Sequence, residues 1–152
     1  HHHDPVCGGK GLTVDRGTHV PLICNWPGSI PVGSVNDDLI DCCDYLPTML
    51  EAAGVPAPDG YYMDGRSFLP QLRGKSGAPR DWIYFHFEPG GRNQRPAARF
   101  VRGTQWKLYD DGRLFDIKAD NEEESAFMPD SDDAERAAVR AELEPVIAQM
   151  VK

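Results

Sequence analysis

The sequence has no run of about 18 apolar residues, so nothing in it has the length and character of a bilayer-crossing helix. Nor does it open on a basic stretch followed by an apolar one, and no secretory signal peptide is visible. It starts at His1-His2-His3-Asp4-Pro5 without a methionine, and the three histidines read as the remnant of a purification tag. Positive charge is in short supply: 16 Lys and Arg against 24 Asp and Glu leave a formal net charge of −8. That balance argues against a nucleic acid or an anionic membrane surface as general partner, though not against one local cationic pocket. Cysteine is scarce as well. Cys7, Cys24, Cys42 and Cys43 form no C-x-x-C pair and no zinc or disulfide spacing, and are expected to be buried small hydrophobes.

Familiar catalytic motifs are also missing. There is no G-x-S-x-G elbow and no H-E-x-x-H. Gly74-Lys75-Ser76 looks like the end of a phosphate loop, but the glycine required five positions earlier is Leu69. The acidic run at residues 120–124 lacks the alternating ligands of a calcium loop and reads as a solvated connection. Asp37-Asp38 and Asp110-Asp111 read as surface turns or caps.

What remains is the composition of an ordinary folded protein, 40% hydrophobic and 26% charged over 152 residues. Residues 19–26 form a short apolar run ending at Pro27-Gly28, as a strand buried on both faces would. A second extended stretch is expected within residues 35–43. Asp44 is placed to cap a helix over residues 45–53, with Pro47 in its first turn and Leu46, Met49, Leu50 and Ala53 as its inward stripe. Gly54 and Pro56 end it. Residues 67–72 suggest a helical turn or two, and the basic, small-residue stretch at 73–80 is the best candidate boundary.

Beyond it the pattern becomes antiparallel β. Residues 82–87 are aromatic and β-prone, and short alternating runs follow at 99–102, 105–109 and 113–117. Gly103-Thr104 and Asp110-Asp111-Gly112 supply the turns between them. A last helix, capped at Ser131 and kinked or split at Pro145, would cover the sheet with Val139, Leu143, Ile147 and Met150. The fold class expected is α/β at the start, over residues 1–74, and α+β for the chain as a whole. Residues 75–152 form an antiparallel-sheet subdomain with a terminal helix.

One glycine-rich segment sits just ahead of the apolar run: Gly9-Lys10-Gly11-x-Thr13-x-Asp15-x-Gly17-x-x-Val20-Pro21-Leu22-Ile23-x-x-Trp26-Pro27-Gly28. It resembles a sulfatase signature whose usual form is close to GKGTTYEGGIRVPLIVRWPG. Further matches follow in order. Asp44-Tyr45-Leu46-Pro47-Thr48-Met49-Leu50, Ala53-Gly54-Val55-Pro56 and Asp64-Gly65-x-Ser67-Phe68-Leu69-Pro70 resemble the family's next segments. Val101-Arg102-x-x-x-Trp106-Lys107-Leu108-Tyr109, Leu114-Phe115-Asp116-Ile117 and Asp120-x-Glu122-Glu123 resemble its closing region.

The resemblance implies the C-terminal portion of a sulfatase of the alkaline phosphatase-like superfamily, whose α/β core is followed by a small antiparallel sheet and a helix. It implies hydrolysis of a sulfate ester through a formylglycine, with a bound calcium, in the full-length enzyme. The substrate class would be a sulfated small molecule or glycan, and the location periplasmic or secreted. Lys10 matches the lysine that contacts the substrate sulfate, where a compact ammonium stabilises sulfuryl oxygens. His86, Arg92 and Arg95 are candidate pocket-wall residues.

Departures set the limits. No cysteine or serine here stands in the C/S-x-P/A-x-R motif that yields formylglycine: four residues beyond the cysteines lie Gly11, Gly28, Leu46 and Pro47. No metal ligands are expected in this stretch, and no catalysis from it alone. Arg16 stands where the family has a glycine. Two alternatives stand beside this reading: a phosphoester or phosphonate hydrolase of the same superfamily, and a non-catalytic module that self-associates through exposed sheet edges.

Overall fold

The structure, a computed structural model, describes residues 8–88 and 97–150. Its contacts divide the chain into two compact units, residues 22–83 in one and residues 1–21 with 84–152 in the other. The glycine-rich segment groups with the later sheet.

The sheet unit is a four-stranded meander in the order β1-β2-β3-β4: β1 (Ile83–Phe87), β2 (Ala98–Arg102), β3 (Trp106–Tyr109) and β4 (Leu114–Asp116). β2 and β3 run antiparallel with Arg102 opposite Lys107, and β3 and β4 antiparallel with Lys107 opposite Phe115. All four strands and both hairpin turns fall where alternation and Gly or Asp turns placed them. One face carries Phe100, Tyr109, Phe115 and Ile117, packed with Phe85 and Ala98. The rings of Phe85 and Phe100 stack at 4.9 Å, the separation that offset aromatic pairs favour.

Helix α4 (Ala134–Met150) lies on β2 and β3 and buries Leu143. It is one element through Pro145, not split there. Its cap is Asp133, whose carboxylate accepts from Arg136 N at 3.0 Å. The expected cap, Ser131, instead closes a short 3-10 turn by donating to the Met128 carbonyl at 2.8 Å. Of the expected apolar stripe only Leu143 is fully buried, and Met150 is 44% exposed. The other buried position is Arg140, which pairs with Asp132 and donates to the carbonyls of Gly112 and Phe127, each at 2.7 Å. That charge is buried because its hydrogen bonds are met by a carboxylate and by strand-end carbonyls.

In the unit at 22–83, α2 (Tyr45–Ala53) follows a 3-10 turn at Cys42–Asp44 and ends at Gly54, whose φ of 66° lets the chain leave in the left-handed conformation. α3 (Leu69–Leu72) is the single turn expected. Several expectations fail here, the extended stretch within residues 35–43 among them, since it forms only an isolated bridge at Leu39. Residues 19–26, read as a doubly buried strand, form no strand, and Ile23 is 89% exposed. An apolar run encodes burial but not the partner strand, and among the described residues none pairs with it. Leu46 and Met49 are exposed for the same reason, since α2 meets little more than α3 and the 3-10 turn. Cys42 and Cys43 are exposed and Cys24 is half-buried, all three as free thiols.

Asp44 does not cap α2 with its side chain. Fully buried, it accepts from Arg80 Nε at 2.7 Å and from the backbone N–H groups of Asp41 and Arg66, each at 2.8 Å. Its carbonyl takes the Thr48 hydroxyl at 2.6 Å, and that hydroxyl accepts from Phe68 N at 3.1 Å. Gly65 passes so close that a Cβ there would lie 1.9 Å from the Cys43 carbonyl oxygen. Burial pushes the Asp44 carboxyl upward, but the Arg80 guanidinium and the backbone donors outweigh it and hold it below its ordinary range. A folded value below the unfolded one of about 4 contributes stability above that pH and loses it as pH falls further. Asp44→Asn should therefore cost about 3–5 kcal/mol at neutral pH by leaving Arg80 buried and unpaired. Urea titrations read by the fluorescence of Trp26 and Trp82 should show the gap to wild type shrinking below about pH 4. A gap independent of pH refutes this account.

Candidate functional site

The segment at residues 9–18 is a small closed loop. Leu12 N donates to the Gly9 carbonyl at 2.8 Å, turning the chain at Lys10-Gly11, and Gly11 sits at φ 76°. A left-handed third position is what a type II turn requires, which is the reason for a glycine directly after the lysine. The chain then makes one helical turn, α1 (Asp15–Thr18), with His19 N on the Asp15 carbonyl at 2.7 Å.

The two ends of the loop touch backbone to backbone. A Cβ on Gly9 would lie 2.3 Å from the Arg16 carbonyl oxygen, and one on Gly17 2.2 Å from that of Leu12 and 2.6 Å from that of Gly9. Spacing in the sequence showed that the glycines were there; only the geometry shows that two of them close the ring.

Lys107, Arg102 and Glu122 from the sheet unit hold this loop, and Glu123 holds Lys107. Lys107, on β3 and fully buried, donates its ammonium to the Thr13 carbonyl and to Glu123 Oε1. Its Nζ lies 3.8 Å from the centre of the Phe100 ring and 4.9 Å from that of Tyr109. Arg102, at the end of β2, faces the Asp15 carboxylate at 3.1 and 3.2 Å. Glu122 meets Arg16 at 2.9 Å across the surface. Glu123 adopts φ 59°, unusual for a residue with a side chain, and brings its carboxylate to both Lys107 and the Tyr109 hydroxyl.

Burial holds the Lys107 ammonium below its ordinary pKa even with Glu123 beside it. Burial, and donation to Glu123, hold the Tyr109 hydroxyl above its own. The acidic run at 120–124, expected to be a solvated connection, is thus half structural. Asp120 ties its turn by accepting from the backbone of Glu124 at 3.0 Å and Ser125 at 2.8 Å, while Glu122 pairs with Arg16 of the loop and Glu123 with Lys107.

Lys10 projects from this ring into solvent, and among the described residues it makes no salt bridge. His86 stands on β1, 42% exposed, 3.6 Å from Glu88, so it is not a core histidine, and no described contact links it to Lys10. Arg92, Arg95, Cys7 and the leading histidines lie outside the described residues. Among the described residues no three His, Cys, Asp or Glu could together hold a metal ion.

Sequence reasoning named Lys10 and passed over Lys107 and Glu123 as working residues. The signal was faint: Trp106 and Leu108 lie on the opposite face of the strand, and only Tyr109, two positions on, marks the lysine's own face as apolar.

Comparison with known proteins bears out the family resemblance. Residues 9–152 match the family model for the C-terminal part of N-sulphoglucosamine sulphohydrolase. The chain belongs to this sulfatase C-terminal family. It is 42% identical over 81 residues to an ulvan-active sulfatase of Formosa agariphila, covering 53% of this chain and 16% of that protein. It is 29% identical over 155 residues to human steryl-sulfatase, covering 82% and 27%. A solved structure, BT4656 in complex with its substrate D-glucosamine-2-N,6-O-disulfate, superposes with a TM-score of 0.56 at 25% identity, over 70% of this chain and 23% of that one. The chain thus spans less than a third of the length of these relatives.

Closure of the ring can be tested directly. Gly17→Ala should force the loop ends apart and cost about 1–3 kcal/mol. Amide exchange at Leu12 and Gly17, whose N–H groups bond within the loop, should quicken while that of Tyr109 in the sheet is unchanged. Unchanged exchange at Leu12 and Gly17 refutes the closed ring.

Proposed function

We propose that this chain supplies the C-terminal part of a sulfate-ester hydrolase, with Lys10 as the residue that meets the substrate sulfate. The observation that carries the reading is the charge pattern of the loop. Arg16 is matched by Glu122, Arg102 by Asp15 and Lys107 by Glu123, whereas Lys10 has no such counter-ion among the described residues. A cation already paired has little left to offer a ligand. An unpaired ammonium on a rigid turn can take an anion with little reorganisation, and its attraction strengthens as charge builds on the sulfuryl oxygens and the departing oxygen. The support for sulfate, rather than the phosphoester or phosphonate alternative, is the family and the sulfatases among its relatives.

In that reading the formylglycine and calcium act from elsewhere in the complete protein, and the residues here contribute charge and placement. No cysteine of this chain stands in the motif that yields formylglycine, and the described residues offer no metal site. The substrate class is a sulfated small molecule or glycan. The family's habit of export suggests a periplasmic or secreted enzyme.

In the complete gene product, Lys10→Ala should lower kcat/KM for an aryl sulfate by about 10²–10³-fold, the scale of losing one electrostatic contact to the transition state. Residues 1–152 alone should give no turnover. Hydrolysis by the purified chain, or a Lys10→Ala enzyme as fast as wild type, refutes the assignment. Faster turnover of the matching aryl phosphate would favour the phosphoester alternative.

A further inference from the structure

The loop bearing Lys10 does little to hold itself. Its single helical turn, α1, buries no residue, and within residues 9–18 only Gly9 is fully buried. Backbone hydrogen bonds turn the chain at 9–12 and 14–17, but they do not aim the ring. Its placement comes from the sheet unit. Arg102 and Lys107 are cross-strand partners in the β2–β3 register, and they grip loop residues two apart, Lys107 the Thr13 carbonyl and Arg102 the Asp15 carboxylate.

This pairing runs against the usual preference. Like charges directly opposite on neighbouring strands destabilise a sheet, and a fully buried lysine carries a large desolvation cost. An apolar pair would suit the strands better. Each cation is retained with its own carboxylate, and Glu123 adopts a left-handed backbone to reach Lys107. Three such disfavoured features converging on one loop are the mark of a site held in place for use.

We propose that Lys107, with Glu123, and Arg102, with Asp15, are positioning residues that fix the Lys10 ammonium for sulfate. The inference rests on the assignment of Lys10 as the sulfate contact. None of the four touches substrate; they act through the loop. Arg16, at the position where the family has glycine, adds a weaker outer tie to Glu122, because both partners are 41% exposed and screened by water.

The test is a double-mutant cycle in the complete gene product with an aryl sulfate as probe. Asp15→Asn and Lys107→Met should each lower kcat/KM by about 10²-fold, the scale of displacing a catalytic contact by an ångström. In a Lys10→Ala background the same changes should add less than about threefold, since a misplaced residue that is already gone loses nothing more. Losses that multiply in full in that background, or single variants as active as wild type, overturn the positioning role. Amide exchange gives a readout independent of sulfate. Asp15→Asn should quicken exchange at Leu12 and Gly17 by at least about tenfold while Tyr109 stays protected. An unmoved loop overturns the proposal even if Lys10 proves essential. A Lys10→Ala enzyme of full activity with a loosened loop sinks the sulfate reading instead. Asp15→Asn, outside the buried core, keeps the test decisive should Lys107→Met fail to fold.

Discussion

The interaction on which the sheet unit depends is the buried ammonium of Lys107. It sits among the rings of Phe100 and Tyr109, the carboxylate of Glu123 and the carbonyl of Thr13, and each neighbour answers a different requirement. The aromatic faces offer weak attraction and exclude water. The carboxylate supplies the opposite charge without which burial would drive off the proton. The carbonyl takes a remaining donor, and it belongs to a segment some 94 residues away in the chain. Satisfying one lysine therefore ties three separate pieces of sequence together: strand β3, the turn at 120–124 and the glycine-rich loop.

The loop in turn explains its own composition. A ring of ten residues that closes backbone on backbone has no room for side chains at its ends, hence Gly9 and Gly17, and it turns through a left-handed residue, hence Gly11. With three positions given over to closure, the rest divide between anchors and the one projecting cation. Thr13 and Asp15 face the sheet's cations and Lys10 does not. Rigidity and free charge are thus produced by the same small motif. A lysine on a flexible loop would have to lose that freedom on binding an anion.

The antiparallel strands, the hairpin turns, α2 with its glycine stop and the terminal helix were legible because each rests on local signals: alternation, turn residues, 3.6-residue spacing. Residues 19–26 were misjudged because apolar content reports that a segment is suited to burial and says nothing of what buries it. Ser131 and Asp133 are both good caps two positions apart, and the choice between them fell to a 3-10 turn that no propensity scale resolves. Lys10 was legible through resemblance, not physics, since an isolated lysine near glycines is most often a surface residue. Lys107 and Glu123 could not be paired from sequence, because a contact between residue 107 and both 13 and 123 depends on how the meander sits on the loop.

The two units also show contrasting uses of a buried ion pair. In residues 22–83, Asp44 gathers one guanidinium and two backbone donors, and every group it binds belongs to the turns and helix starts around it. Its work is complete within the fold. Around residues 9–18 the carboxylates instead remove competing charge: with Arg16, Arg102 and Lys107 each matched, the field at the loop's tip is set mainly by the cation that is left. Net charge, at −8, says little about any one point on the surface. Local pairing says more, because attraction between exposed charges fades beyond a Debye length of roughly 8 Å while a neighbouring unpaired ammonium acts at contact. An acidic protein can therefore present a cationic point to an anion, provided its other cations are already matched.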